Sequence, residues 1–189
     1  MNELYKGYTI EYKNEDEAES PREWENLGTL MLANNYMNET EAWVTEAARQ
    51  GENVVETLES QYGEIAALLK VYKYEHGGVW YDTKSFYGRL PQGHARFDSC
   101  HTGYIWTTKE RARKWFGVKY ITQKVKDKIT ECLKDEIKVF GKWANGDVLE
   151  FITYDPNGEI FDSCAELYDL DDLLETAKEA IDFEIDPNS

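Results

Sequence analysis

The chain has 189 residues, a length typical of one domain. Hydrophobic residues make up 41% and aromatic residues 14% of it, which excludes a fully disordered or low-complexity protein. The dominant feature is charge, because 37 acidic against 21 basic side chains give a net charge of −16. The longest aliphatic run is Ile65–Leu69, far short of the ~20 residues of a membrane-spanning helix, and no apolar stretch follows a basic start. We therefore expect a soluble, acidic, cytoplasmic protein with no membrane association.

The charge is distributed unevenly along the sequence. Residues 1–62 hold 14 acidic and 4 basic side chains, a net charge of −10. Residues 63–154 hold 11 and 16, net +5, and residues 155–189 hold 12 and 1, net −11. The total net charge of −16 disfavours direct binding to nucleic acid or to anionic membranes. It also exceeds the roughly 2–8 units that suffice to keep a small domain soluble, so a functional role has to be weighed beside a merely solvated surface.

The cysteines and the motif content exclude several chemistries. Cys100, Cys132 and Cys164 are odd in number, widely spaced and without a CxxC pair, which argues against a disulfide framework and against a zinc site. The sequence contains no HExxH, GxSxG, Walker or GxGxxG motif. We therefore expect reduced thiols, no metal and no cofactor.

The first third of the chain predicts one strand and three helices. Ser20 and Glu23 match a capping box with Pro21 at the first helical position, which predicts a short helix that ends near Gly28. Hydrophobic periodicity gives the other elements, which are a strand over 8–12 and helices over 38–50 and 54–62.

The rest of the chain predicts strands and helices without a regular alternation of the two. Periodicity and turn residues give its elements, which are strands over 68–75, 79–81 and 103–106, a long loop over 85–98, and helices over 109–116 and from Thr122 to Gly146. Thr107 and Glu110 form a capping box for the first of these helices, and Gly117 closes it.

The last elements form a hairpin and a helix: a strand over 148–154, a turn at 155–158, a partner strand over 159–164 and a final helix over 171–181. The order of elements predicts a single α+β domain over residues 1–189, with a mostly antiparallel sheet and several packed helices. Its strongly acidic parts are an N-terminal segment at about 13–25 and a C-terminal helix at about 169–183.

These two acidic segments are the first candidate for function. Duplex DNA carries one charge per ~1.7 Å of its axis, and carboxylates on a rigid surface can reproduce such a density. That surface would occupy the cationic groove of a nuclease or methyltransferase without offering a backbone to cleave. The same residues suit a solvated helix face equally well. The candidate partner-binding residues are Glu15, Asp16, Glu17, Glu19, Asp169, Asp171, Asp172, Glu175, Glu179 and Asp182.

The basic segment 109–128 is the second candidate. Cationic side chains alternate there with aromatic ones, as in proteins that bind nucleic acid. The spacing of Trp115 and Phe116 also suits a core face, and the cations can serve as a solvated surface or as partners of the acidic ends. The candidate nucleic-acid-binding residues are Arg111, Arg113, Lys114 and Lys119.

A third candidate is a small enzyme that uses His76, Asp98, Cys100 or His101. Neighbouring residues of a strand point to opposite faces, so the adjacency of Cys100 and His101 weakens the case for a nucleophile and its base. We therefore do not expect an enzyme.

Several motifs recur together in one order between about residues 20 and 165. They are SPREWENLGT at 20–29, YKYEHGG at 72–78, GYIWTTKE at 103–110, Arg113 with Gly117–Lys119, Gly146–Val148 and Asp162–Cys164. Together they resemble a family of small uncharacterised bacteriophage and mobile-element proteins. The resemblance implies a phage setting in the host cytoplasm and, by analogy with other small acidic phage proteins, an action against host defence. After Cys164 the chain departs from the family, because an acidic helix replaces an aromatic, glycine-containing segment.

We therefore predict a non-enzymatic inhibitor of a host nucleic-acid-targeting defence system, of the anti-restriction or anti-CRISPR type. Its expected partner is a host defence protein or nucleoprotein complex. The alternatives are an accessory protein that binds nucleic acid through residues 109–128, a small enzyme, and a homo-oligomer in which the acidic ends meet the basic middle of a neighbour.

Overall fold

The structure is a computed structural model and describes residues 1–32, 53–90 and 95–186. The predicted helix over 38–50 lies outside the described residues. The elements in chain order are β1 (Asn2–Tyr5), β2 (Tyr8–Asn14), β3 (Thr29–Leu32), α1 (Val54–Tyr62), β4 (Ile65–Glu75), β5 (Val79–Asp82), α2 (Ala95–Asp98), β6 (Ser99–Thr108), α3 (Lys109–Phe116), α4 (Gln123–Ala144), β7 (Leu149–Tyr154), β8 (Ile160–Leu167) and α5 (Leu170–Ile185).

The predicted α+β class is confirmed, since helices accompany sheets whose strands all pair in the antiparallel sense. Among the described residues the strands form two four-stranded sheets rather than one. The chain divides into two compact units. We call residues 1–23 with 142–189 the terminal unit, and residues 24–141 the central unit.

The terminal unit contains the sheet β1-β2-β7-β8 with helix α5 on one face. Strands β2 and β7 lie side by side, with Thr9 opposite Tyr154. Leu173, Ala177 and Ile181 recur every four residues, so they share one helix face and pack on the sheet. The resulting core contains Ile10, Phe151, Leu173, Ala177 and Ile181, which are all at most 1% exposed.

The central unit contains the sheet β3-β6-β4-β5. Strand β6 lies inside this sheet and is buried from Thr102 to Thr107. Tyr104 and Trp106 point to one face, where they pack with α1. The intervening Ile105 points to the other face, where it and Leu133 of α4 approach Gly28 so closely that a Cβ there would lie within 2.8 Å of both.

One predicted helix is wrong. The segment that begins at Ser20 forms turns, with a hydrogen bond from the Glu23 nitrogen to the Ser20 carbonyl of 2.9 Å. The Glu136 carboxylate of α4 accepts the backbone N–H groups of Leu27, at 2.8 Å, and of Gly28, at 3.0 Å. A helix would bond these donors to carbonyls four residues earlier, so the distant carboxylate replaces the helical pattern and β3 follows directly.

At other positions the structure differs only slightly from the elements predicted from the sequence. Thr108, not Thr107, caps α3 by accepting a hydrogen bond from the Arg111 nitrogen at 3.1 Å, because β6 extends two residues further than predicted. The predicted loop over 85–98 ends in α2, and the short strands β1 and β3 were not predicted. The described helices include none whose length and apolar character would let it cross a membrane.

Candidate functional site

The net charge of the protein belongs entirely to the terminal unit. Residues 1–23 and 142–189 contain 21 acidic and 5 basic side chains, a net charge of −16. Residues 24–141 contain 16 of each, a net charge of zero. The two acidic ends of the sequence are therefore parts of one folded unit, and the charged residues between 24 and 62 belong to a neutral one.

The N-terminal acidic loop is fixed on the terminal unit by hydrogen bonds at both ends. The Glu15 nitrogen donates to the Val148 carbonyl at 2.9 Å, and the Glu15 carboxylate accepts from the Glu166 nitrogen at 2.7 Å. Further along, the Trp143 indole donates to the Ala18 carbonyl at 3.0 Å. Glu15 is thus a structural residue, partly buried, that holds the loop in place. The other three candidates in this loop, Asp16, Glu17 and Glu19, are exposed.

Asp169 begins helix α5 as its N-cap. Its carboxylate accepts a hydrogen bond from the Asp171 nitrogen at 3.0 Å, and the Lys142 ammonium lies 3.5 Å away. The hydrogen bond from the backbone of Asp171, followed by the contact with Lys142, lowers the pKa of Asp169 below its usual value. Lys142 also donates to the Tyr168 carbonyl. This candidate therefore anchors the start of the acidic helix.

Asp182 is paired within the terminal unit. Its carboxylate accepts hydrogen bonds from the Lys6 ammonium at 2.8 Å and from the Tyr5 hydroxyl at 3.1 Å. These contacts, with Lys6 first, lower the pKa of Asp182. On the same helix, Lys178 pairs with Glu3 at 2.6 Å. Both pairs join α5 to the β1–β2 hairpin, so Asp182 adds less negative potential than its neighbours.

The remaining helix candidates, Asp171, Asp172, Glu175 and Glu179, are exposed, and none of them forms an ion pair within the part of the chain that the structure describes. Their spacing of three or four residues places them on one side of α5. From Asp171 to Asp186 the chain carries seven carboxylates over a helical length of roughly 22 Å, or roughly one per 3 Å. That linear density is close to the ~3.4 Å of one DNA strand and about half that of the duplex.

The basic candidates lie on and after helix α3 of the central unit. Arg111 is committed to local structure, because its guanidinium donates to the Asn26 carbonyl and, at 3.4 Å, to the Thr29 hydroxyl. Arg113, Lys114 and Lys119 are exposed. The expected core face is only partly present. Trp115 is 40% exposed, and Ala112 is the buried residue of this helix.

The candidates for an enzyme are divided between two faces of the central sheet. His76 Nδ1 lies 3.2 Å from Asp98 Oδ2, and Asp98, Cys100 and Lys73 line a cavity of about 300 Å³. His101 points away from Cys100, with its Nε2 2.9 Å from the Gly103 carbonyl and its ring against those of Tyr72 and Tyr104. Burial lowers the pKa of His101.

Two further observations concern chemistry at this protein's surface. Among the described residues, no group of three or more His, Cys, Asp or Glu side chains is arranged to hold a metal ion. A second cavity of the central unit, of about 450 Å³, is lined by Lys84, Lys134 and Lys138, which the sequence did not single out. The spacing of four residues between Lys134 and Lys138 places both lysines on one face of α4, but the helix carries lysines at many other positions, so this spacing alone does not indicate a site.

Comparison of the chain with protein-family models, with curated proteins and with solved structures finds no match in any of the three.

Proposed function

We propose that this protein is a non-enzymatic inhibitor of bacteriophage type, which blocks a host nucleic-acid-targeting defence protein or nucleoprotein complex in the cytoplasm. The carboxylates of the terminal unit bind the cationic surface that this target uses for nucleic acid. The observation that carries the proposal is the division of charge, −16 on the terminal unit and zero on the central unit.

A rigid scaffold supports this proposal. A mimic of phosphates needs its charges in fixed positions, since ordering flexible acidic tails on binding would consume affinity. Here Glu15 bonds the loop with Asp16 and Glu17 to Val148, just before β7, and to Glu166 of β8. Helix α5 rests on the sheet through a buried apolar face. The acidic row on α5 is therefore presented by a helix that is already formed.

The row ends in apolar side chains that suit a protein partner. Phe183 is 68% exposed and Ile185 49% exposed, next to Asp182 and Asp186. In protein interfaces a few exposed aromatic anchors supply much of the affinity, while surrounding charges accelerate and orient the encounter. A target with a cationic groove and an apolar pocket at one end fits this arrangement better than a small cation does.

The decisive experiment measures inhibition of DNA cleavage by purified restriction nucleases and RNA-guided nucleases. We expect inhibition that competes with duplex DNA and weakens as salt is raised from about 50 to 500 mM, because the Debye length shortens. Replacing Asp171 and Asp172 by Asn, and Glu175 and Glu179 by Gln, removes four charges and preserves shape. This variant should inhibit at least roughly tenfold less well.

The matched control removes four exposed carboxylates from the central unit. It carries Glu25→Gln, Glu56→Gln, Glu110→Gln and Asp127→Asn, all at exposed positions, and changes the net charge by the same amount. Full inhibition by the control supports recognition by the terminal unit. Equal loss in both variants, unchanged inhibition in the first, or no inhibition of any nuclease in the panel overturns the proposal.

A second candidate function, binding of single-stranded nucleic acid, is favoured by one observation. Trp115 and Tyr120 are 40% and 71% exposed beside Lys114 and Lys119, and exposed rings among cations are typical of surfaces that bind single-stranded nucleic acid. Titration of fluorescent single-stranded DNA and RNA at about 20 mM salt tests it. Absence of binding there, or binding that survives replacement of Trp115 and Tyr120 by Ser, excludes this function.

A further inference from the structure

The cavity of about 450 Å³ in the central unit lies between the loop after β5 and helix α4. This volume falls within the roughly 300–1,000 Å³ of sites for small molecules. Its charged lining residues are Asp82, Lys84, Arg89, Glu131, Lys134 and Lys138. Four cations against two carboxylates give the lining a net charge of +2, in a unit whose overall net charge is zero.

The loop wall is held in shape by Asp82 and Arg89. One carboxylate oxygen of Asp82 accepts a hydrogen bond from the backbone nitrogen of Lys84 at 2.9 Å, and the other accepts one from the Arg89 guanidinium at 2.7 Å. Arg89 also donates to the Lys84 carbonyl at 3.1 Å and stacks on Phe86. Arg89 is therefore used in closing the loop. The Lys84 ammonium, by contrast, has no hydrogen-bond or ion-pair partner among the residues that the structure describes.

The helix wall presents two lysines one turn apart. Lys134 pairs with Glu131 at 2.7 Å and Lys138 with Asp135 at 2.8 Å, each across three residues of α4. The two acidic partners are 64% and 62% exposed. Exposed ion pairs of this kind stabilise a protein only slightly, so both ammonium groups are available to an anion that enters the cavity. The neighbouring Ile137, 1% exposed, also lines the cavity.

We propose that this cavity binds a small phosphorylated molecule, with phosphoryl oxygens accepting hydrogen bonds from Lys84, Lys134 and Lys138. Three lysines, one from the loop and two from the helix, line this cavity. Together they offer more donors than one carboxylate can use, whereas a phosphoryl group presents three acceptor oxygens and up to two charges. No aromatic ring lines the cavity among the described residues. The ligand is therefore recognised through its phosphates, and not through a stacked base.

Calorimetric titration of the full-length chain with inorganic pyrophosphate tests this site. We expect saturable binding with one equivalent, weakened roughly tenfold by Lys134→Gln and by Lys138→Gln, the loss expected for a hydrogen bond between charged groups. The matched control is Lys128→Gln, an exposed residue of the same helix outside the lining, which should leave the affinity unchanged. Circular dichroism checks that each variant is folded.

Citrate provides the comparison with a carboxylate ligand of similar charge. Pyrophosphate bound at least tenfold more tightly than citrate supports a phosphate site. Absence of pyrophosphate binding at millimolar concentration, an equal loss in Lys128→Gln, or citrate bound as tightly overturns it. The variant of α5 that lacks four carboxylates should bind pyrophosphate normally, so failure of this site and failure of the proposed inhibition give different results.

Discussion

The carboxylate of Glu15 accepts a hydrogen bond of 2.7 Å from the backbone nitrogen of Glu166. Glu166 has a φ of 57°, a left-handed conformation that costs a residue other than glycine roughly 1 kcal/mol. The bond supports this backbone near the end of β8. Because Glu166 precedes the first residue of α5 by four residues, the bond also ties the start of the acidic loop to the segment that leads into this helix. The two acidic segments of the terminal unit are thus joined at this corner.

Glu15→Ala should lower the free energy of unfolding by about 1–3 kcal/mol, because it removes a charged acceptor from a partly buried backbone donor. Urea denaturation followed by circular dichroism measures the change. Glu17→Ala, at an exposed position of the same loop, should shift the free energy by less than about 0.5 kcal/mol. Equal effects of the two substitutions would show that the Glu15 contact is not structural.

Glu136→Ala should be more destabilising than Glu15→Ala. Its carboxylate accepts the backbone N–H groups of both Leu27 and Gly28, and each buried donor left without an acceptor costs about 1–3 kcal/mol. The same denaturation experiment measures the loss. Glu131→Ala, one exposed residue of the same helix, serves as the control. A loss at Glu136 no larger than at Glu131 contradicts this account of the segment before β3.

Thr153→Val should stabilise the protein. The Thr153 side chain lies in β7 with no exposed surface, and its hydroxyl has no hydrogen-bond partner among the described residues. Valine keeps the shape of the side chain and removes the buried hydroxyl, which should raise the free energy of unfolding by about 1 kcal/mol. Differential scanning calorimetry should show a higher Tm, and a lower Tm would indicate that the hydroxyl is satisfied.

Tyr168 should make the protein unstable in alkali. Burial, with further contributions from Glu166 and Glu15, raises the pKa of Tyr168 from 10.0 to about 12. The folded state therefore keeps this proton between pH 10 and 12 while the unfolded state loses it, so stability is unaffected below pH 10 and falls as the pH rises to 12, by about 1 kcal/mol per pH unit. Tyr168→Phe should flatten this dependence in denaturation curves between pH 9 and 12, and an unchanged slope would exclude Tyr168 as its source.

Cys132 should react slowly with thiol reagents. Burial and the neighbouring Glu136 and Asp135 raise the pKa of Cys132 to about 11, so at pH 8 roughly one thiol in a thousand is ionised, and the thiolate is the reactive form. Cys100 is exposed. Iodoacetamide labelling followed by mass spectrometry should modify Cys100 first and Cys132, which is partly buried, much more slowly. Equal rates in the folded protein would contradict the raised pKa of Cys132.

Local pattern predicts much of this fold. Ile129, Leu133 and Ile137 of α4 recur at helical spacing and are all buried. The turn at 155–158 joins a hairpin as expected. The local sequence predicts a helix after Ser20 in place of the turns, because the acceptor of the Leu27 and Gly28 N–H groups, Glu136, is remote in sequence. The acidic segments follow from composition, but their union in one unit depends on the pairing of β2 with β7, which no local signal encodes.

The pairing of Thr9 with Tyr154 also has a consequence for synthesis on the ribosome. The β1–β2 hairpin emerges before the central unit, yet its sheet cannot close until β7 has left the exit tunnel, by which time the whole central unit has been translated. Since nascent domains generally fold as units in order of completion, the neutral central unit can fold first, while the highly charged terminal unit is assembled only afterwards.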